Sequence, residues 1–365
     1  MANFMLAAHN LRAVARMGTN MNSSLSYSGI NTKVRAMDSK LIDHEDYQKI
    51  VSLETVVDFV AYLKKHPGYS DLFNKYDEHE IHRGEVERVF INGLYLDYTR
   101  IYRFANEMQR QDLELIFFRY EINVLKACIR IIPNNKGGVD LSTFHPFFSK
   151  HSQIDVNTLA SSRTIDEYIQ NLKGTEYYPV LSKLEAKSGL TFFDYEMTLD
   201  VYYFTKSWKL KDKILKGTNR TAFIERMGTE IDLLNIMWIY RSKKMYDMNS
   251  ADIFTYLIPV NYKLSINQLS RLVGAASLDE FSVVLKSTHY KAFNENLMNG
   301  TMENEYHRII NKIYLKNITR YPASMTTVNH FLFRKDVEIA RLTSVLECIR
   351  YGLDQKTKLD YIQQY

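Results

Sequence analysis

A chain of 365 residues is long for one hydrophobic core, so two or three compact units are expected. With 45% apolar and 13% aromatic residues it can offset the ordering entropy of a fold, which excludes a disordered chain. Its net charge of +5 comes from 47 basic and 42 acidic residues mixed along the sequence, which excludes the concentrated basic stripe that nucleic acid demands.

Residues 1 to 37 carry Arg12, Arg16, Lys33 and Arg35 before the first acidic residue, Asp38. An acid-poor start of this kind can resemble a transit peptide. The pattern also suits an amphipathic first helix with Leu6, Leu11 and Val14 on one side, packed on the body or on a partner. Further on, Thr55, Phe59, Leu63 and Lys64 read as a short helix: a hydroxyl N-cap, two apolar residues four apart, and a basic C-terminal end. Asp77, Glu78, His79, Glu80, His82, Glu85 and Glu87 then form a charged run. His79 and His82 could share a helix face with a carboxylate, as some zinc sites require, but such runs are usually solvated surface, and no metal is expected. Tyr95 to Tyr102, and later Tyr202 and Tyr203, have Leu or Phe neighbours at helical spacing and read as packing rather than as binding platforms.

At Glu121-Ile122 the chain starts a pattern that returns. Glu-Ile-x-x-Leu occurs at Glu121, Glu230 and Glu338, separated by 109 and 108 residues. Roughly 0.1 to 0.2 copies are expected by chance in a chain this long, so three even copies imply a duplicated unit. Other landmarks keep the step: Glu87, Glu196 and Glu305 are 109 and 109 apart. The short helix at Thr55 returns as Thr164, Tyr168, Leu172, Lys173 and as Ser277, Phe281, Leu285, Lys286. Ile122, Leu125, Ile129 and Ile132 make one helical stripe, as do Ile231, Leu234 and Trp238, and Ile339, Leu342, Leu346 and Ile349. The three Glu read as charge at the packing of repeats. Arg226 and Arg334, four residues before their Glu, are placed for intrahelical pairs, whereas Arg119 is two before and is not.

Linkers are expected at Pro133 to Gly138 and around Tyr246 to Ala251. The organisation predicted is a basic extension 1–24, helical repeats 25–135, 140–247 and 250–353, and a tail 354–365. The fold class is all-α.

Tyr27-Ser28-Gly29-Ile30-Asn31-Thr32-Lys33-Val34-Arg35-Ala36, the three Glu helices including Arg334 to Leu342, and Leu257-Ile258-Pro259 resemble the C subunit of archaeal and bacterial A/V-type ATPases, which is similar to the d subunit of the eukaryotic vacuolar enzyme. The resemblance spans residues 25 to 353; Thr343 stands where that family often has Arg. It implies three sequence-related helical domains in a pseudo-threefold funnel, whose open side receives the D and F subunits of the central shaft and whose other face rests on the membrane proteolipid rotor ring. It further implies a peripheral subunit at the cytoplasmic face, working in ion-translocating ATP synthesis or hydrolysis. Tyr27, Asn31 and Arg35 are its candidate partner-interface residues.

Phosphate-binding, dinucleotide, metalloprotease and nucleophile-elbow motifs are all missing, so no catalytic residue, no cofactor and no enzyme activity of its own are expected. Cys128 and Cys348 form no CxxC pair and imply no disulfide framework. No run approaches 18 apolar residues, so no direct membrane span is expected. A free-standing helical-repeat scaffold binding soluble partners, and a metal enzyme using His79 and His82, are the alternatives.

Overall fold

A computed structural model describes residues 26–132, 146–184, 189–246 and 248–363. The basic extension and the linker from Pro133 to Gly138 lie outside the described residues. Among the described residues every regular element is helical and no strand occurs.

The described residues open with α1 (26–38), which buries Tyr27, Ile30, Asn31 and Val34 at helical spacing. Short helices α2 (His44–Val51), α3 (Val56–Lys65) and α4 (Ser70–Phe73) follow, then long α5 (Arg83–Phe104) and α6 (Glu107–Ile131). The same order returns as α7 (Pro146–His151), α8 (Val156–Ala160), α9 (Ile165–Gln170) and α10 (Tyr178–Leu181), leading to long α11 (Phe192–Ile214) and α12 (Gly217–Met245). It returns again as α13 (Ser250–Tyr256), α14 (Ile266–Gly274), α15 (Leu278–Lys286) and α16 (Phe293–Met298), leading to long α17 (Met302–Arg320) and α18 (Thr326–Arg350). A final helix, α19 (Gln355–Ile362), lies back on α18 and α2.

The three short helices read from the sequence are α3, α9 and α15. Thr55, Thr164 and Ser277 each accept the backbone N–H three residues on, at 3.0, 3.1 and 3.1 Å, satisfying an otherwise orphaned donor. Phe59 and Leu63, Tyr168 and Leu172, and Phe281 and Leu285 are all fully buried. Asn106 caps α6 with a reciprocal Gln109 bond, so α5 turns into α6 across two residues.

Packing follows one rule. The second long helix of each set lies along the first long helix of the next: α6 on α11, α12 on α17, and α18 back on α5. The short helices obey it too, with α8 against α6, α14 and α15 against α12, and α3 against α18. Arg130 on α6 grips Glu196 on α11 through both oxygens at 2.6 and 2.7 Å, Arg241 pairs with Glu303 between α12 and α17, and Arg83 with Glu347 between α5 and α18. The last pair reverses the polarity of the first two. A large core takes in both α1 and α19, and a second one gathers the later half of α12 with α13 to α16.

Candidate functional site

Two features of the long helices stand out: buried carboxylates that tie one set of helices to the next, and a cavity of apolar, aromatic and charged side chains where α6, α12 and α18 meet. Glu121 on α6 accepts the Ser152 hydroxyl at 2.6 Å, the Gln153 N–H at 3.0 Å and the Tyr177 hydroxyl at 2.8 Å. Glu338 on α18 accepts the Ile42 N–H at 2.6 Å and the Tyr69 hydroxyl at 2.6 Å, and holds the Lys335 ammonium at 2.8 Å. These two glutamates therefore occupy equivalent places.

Glu230 does not join them. On α12 the place belongs to Asp232, which accepts the Lys263 and Leu264 N–H groups at 2.7 and 3.0 Å and the Tyr290 hydroxyl at 2.8 Å. Each carboxylate thus holds one tyrosine hydroxyl and at least one backbone N–H of the following set. Burial raises the Asp232 carboxyl above the ordinary range, and the Lys263 N–H and Tyr290 hydroxyl oppose that shift. Tyr69, Tyr177 and Tyr290 are all pushed up, by burial first and by the carboxylate second, so each stays a donor.

Two glycines make room for these clamps. A Cβ on Gly68, one residue before Tyr69, would lie 2.2 Å from the Lys40 carbonyl oxygen. One on Gly228 would lie 2.5 Å from the Tyr262 ring, just where that loop reaches Asp232.

Glu230 turns instead into the cavity, which has a volume of about 170 Å³. It accepts Arg119 from α6 at 3.3 Å, Arg226 from its own helix, and the Tyr306 hydroxyl from α17 at 3.1 Å. The pair Arg226–Glu230 is the intrahelical one that the four-residue spacing predicts. Arg334 differs: it bonds Asp38 at 2.5 Å, because Glu338 points to Lys335 and α1 offers a carboxylate at the surface. Arg119, without an intrahelical partner, crosses to Glu230 and keeps 42% of its side chain exposed, since it faces the cavity.

Asp112 from α6 and Asp336 from α18 complete the charged lining. Burial pushes the Asp112 carboxyl up to about 6, against a bond from Asn329 and the charge of Arg226. Burial likewise pushes Asp336 up to about 6, against Arg119. His307 is pushed down to about 4 by burial and by Arg341 and Arg119, which keeps it neutral at pH 7. His307, Phe333 and Val337 also line a neighbouring pocket of about 410 Å³ that holds Arg308, Arg334 and Arg341.

The three candidate interface residues divide. Tyr27 and Asn31 are buried on α1, where the Tyr27 hydroxyl accepts Asn219 at 2.9 Å and Asn31 donates to the Pro322 carbonyl at 3.1 Å. Arg35 is exposed. In the charged run, His82 caps α5 with Glu85, Glu87 pairs with Arg83, and Glu78 pairs with Lys64. Sequence reasoning missed Asp232, Asp112, Asp336 and the role of Arg119. One signal was available for the clamps: a Tyr follows each short-helix N-cap by 14, 13 and 13 residues, at Tyr69, Tyr177 and Tyr290.

A sequence model described as ATP synthase (C/AC39) subunit matches residues 30–361. The chain is 23% identical to the C subunit of the A-type ATP synthase of Methanosarcina barkeri over 349 residues, 93% of this chain and 94% of that protein. It is 22% identical to the protein of the same description from Thermococcus kodakarensis, over 92% of this chain and 90% of the relative. With the one from Methanosarcina mazei it shares 25% identity over 73% of this chain and 71% of the relative.

Proposed function

This chain belongs to the ATP synthase (C/AC39) subunit family, and from that premise we propose that it is the non-catalytic central-stalk subunit of a V-type rotary ATPase, joining the D and F subunits of the shaft to the membrane proteolipid ring. The observation that carries the reading is the family match over 30–361, with C subunits of A-type ATP synthases aligned almost end to end.

In this reading the three sets of helices, residues 25–135, 140–247 and 250–353, stand about a pseudo-threefold axis. The carboxylates Glu121, Asp232 and Glu338 support that arrangement, because each reaches into the next set and the last reaches the first. The cavity is lined by residues from the second long helix of each set, α6, α12 and α18, and it is the proposed seat of the shaft tip. A proteolipid ring offers many equivalent sites around its own axis. Three similar units can engage several of them at once, so affinity comes from effective concentration and no single patch need be large.

No helix among the described residues is long and apolar enough to cross a membrane. In this reading the chain meets the ring from outside the bilayer, at the cytoplasmic face. An affinity-tagged chain isolated from detergent-solubilised membranes is expected to bring down proteolipid and shaft subunits in fixed ratio. Recovery of the chain alone, or only with soluble proteins, would favour a free-standing scaffold and overturn the reading.

A further inference from the structure

The charges in the central cavity do not balance. Three carboxylates (Asp112, Glu230 and Asp336) face two guanidiniums (Arg119 and Arg226), which leaves one negative charge when all are ionised. Glu230 is fully engaged by both arginines and by Tyr306. Asp112 accepts Asn329 at 3.2 Å. Asp336 is the exception: among the described residues no hydrogen-bond donor reaches it, and Arg119, already bonded to Glu230, acts on it only as a neighbouring charge.

Asp336 is partly exposed into the cavity, so its bonds come from solvent or from a donor that enters. Four tyrosines (Tyr120, Tyr203, Tyr306 and Tyr314) and two phenylalanines (Phe223 and Phe333) surround the same space. Ring faces attract cations, most strongly where water is excluded. An anion entering the cavity would instead meet three carboxylates and two arginines already shared with Glu230. The volume of about 170 Å³ exceeds the roughly 150 Å³ that admits a benzene-sized group, so the end of one long side chain fits.

We propose that this cavity receives a single cationic side chain, lysine or arginine, from the protein docked over it, with the Asp336 carboxylate as counter-ion and the tyrosine and phenylalanine rings as walls. The proposal rests on the cavity being the seat of the shaft. It adds the chemistry that the shaft tip must present, and it makes docking sensitive to salt, because part of the attraction is electrostatic.

The test has two arms, both on the full-length protein. In the first, chain labelled with ¹³C at aspartate carboxyls is titrated at pH 7.5 with n-butylammonium chloride, against sodium chloride at equal ionic strength. The resonance that disappears in Asp336→Asn is expected to shift saturably with the ammonium ion alone; identical shifts in both salts would overturn the proposal. In the second, shaft subunits are bound to wild type, Asp336→Asn and Asp336→Glu, each checked for native circular dichroism. Asp336→Asn is expected to weaken binding at least tenfold, most at low salt, and Asp336→Glu to keep most of it. Equal binding by all three would overturn the proposal and leave the docking reading standing. Failure of the wild type itself to bind shaft subunits would remove the docking reading, and the ammonium titration alone would then decide whether the cavity is a cation receptor.

Discussion

The clamps at Asp232 and Glu338 do the same job with different chemistry. Asp232 takes two close backbone N–H groups from residues 31 and 32 positions downstream, plus Tyr290, and among the described residues no cation is near enough to bond it. Glu338 joins residues 296 and 269 positions away in sequence, takes one backbone N–H, and adds a buried lysine, Lys335, that bonds both the carboxylate and the Tyr69 hydroxyl and lies 4.1 Å from the Tyr69 ring centre. Where the chain is locally continuous, a fixed loop can aim N–H groups at the acid. Where its two ends must meet, side chains supply the bonds. Of these two clamps, the one that joins the ends is therefore the one that depends on an ion pair, and its failure should be sharper.

Glu338→Ala is expected to have the largest effect, about 3–5 kcal/mol of stability, because it strands the Lys335 ammonium in the core. Hydrogen exchange at the Ile42 amide should rise with it, since that N–H loses its only acceptor in the clamp. Replacing both partners, Lys335→Met with Glu338→Met, should recover a large share of that loss in urea unfolding, because no charge is left unpaired. A double variant as unstable as Glu338→Ala would mean that the Ile42 and Tyr69 bonds matter and the ion pair does not. Asp232→Asn should cost less, about 1–3 kcal/mol, since an amide keeps one acceptor and strands no charge. A larger loss than at Glu338 would reverse the comparison.

The cavity gives a subtler contrast, read through pH. Asp112 and Asp336 titrate near 6 in the folded chain and near 3.8 unfolded, so the folded state holds more protons between about 4 and 6 and loses stability as pH rises through that window. His307 in the cavity, and His330 on α18 beside Tyr314, both near 4 when folded and 6.5 unfolded, bind fewer protons there and give the opposite slope from about 4 to 6.5. The two sets offset each other in the wild type. Asp336→Asn removes one carboxylate, so its stability relative to wild type should climb from about zero at pH 4 to about 1–2 kcal/mol at pH 7, allowing for the partial exposure of this residue. A flat difference across that range would show that Asp336 is not held against its ionisation.

The smallest effect on folding is expected at Arg35. It is exposed on α1, and its side chain makes no bond to the body among the described residues, so Arg35→Glu should change stability by less than about 0.5 kcal/mol while weakening assembly with partner subunits. Equal loss of folding and assembly would count against an interface role.

The all-α class and the three short helices were legible because they rest on local rules: hydroxyl caps at Thr55, Thr164 and Ser277, and apolar residues four apart. The clamps were legible in part. Matching Glu-Ile-x-x-Leu aligned Glu230 with Glu121 and Glu338, yet the helix presents Asp232 in that role, and Glu230, two residues earlier, faces the cavity. A two-residue shift rotates a helical side chain by slightly more than half a turn, and Asp and Glu are interchangeable as acceptors, so the motif could not choose between them. Tyr27 and Asn31 were candidate contacts because they belong to a recognisable opening motif, but they sit on the buried stripe of α1 with Ile30 and Val34. The cavity was not legible at all: Asp112, Arg119, Glu230 and Asp336 come from three helices, and no period or spacing brings them together.

The proposed seating of a shaft subunit in the cavity between α6, α12 and α18 can be tested at a single residue, by placing a photo-crosslinking amino acid at Ile310, a cavity-lining position on α17, in cells that assemble the complex. Mass spectrometry of the irradiated product is predicted to identify a central-shaft subunit joined at this residue. Assembled complex in which Ile310 crosslinks only within its own chain, or to the proteolipid ring, would contradict that seating.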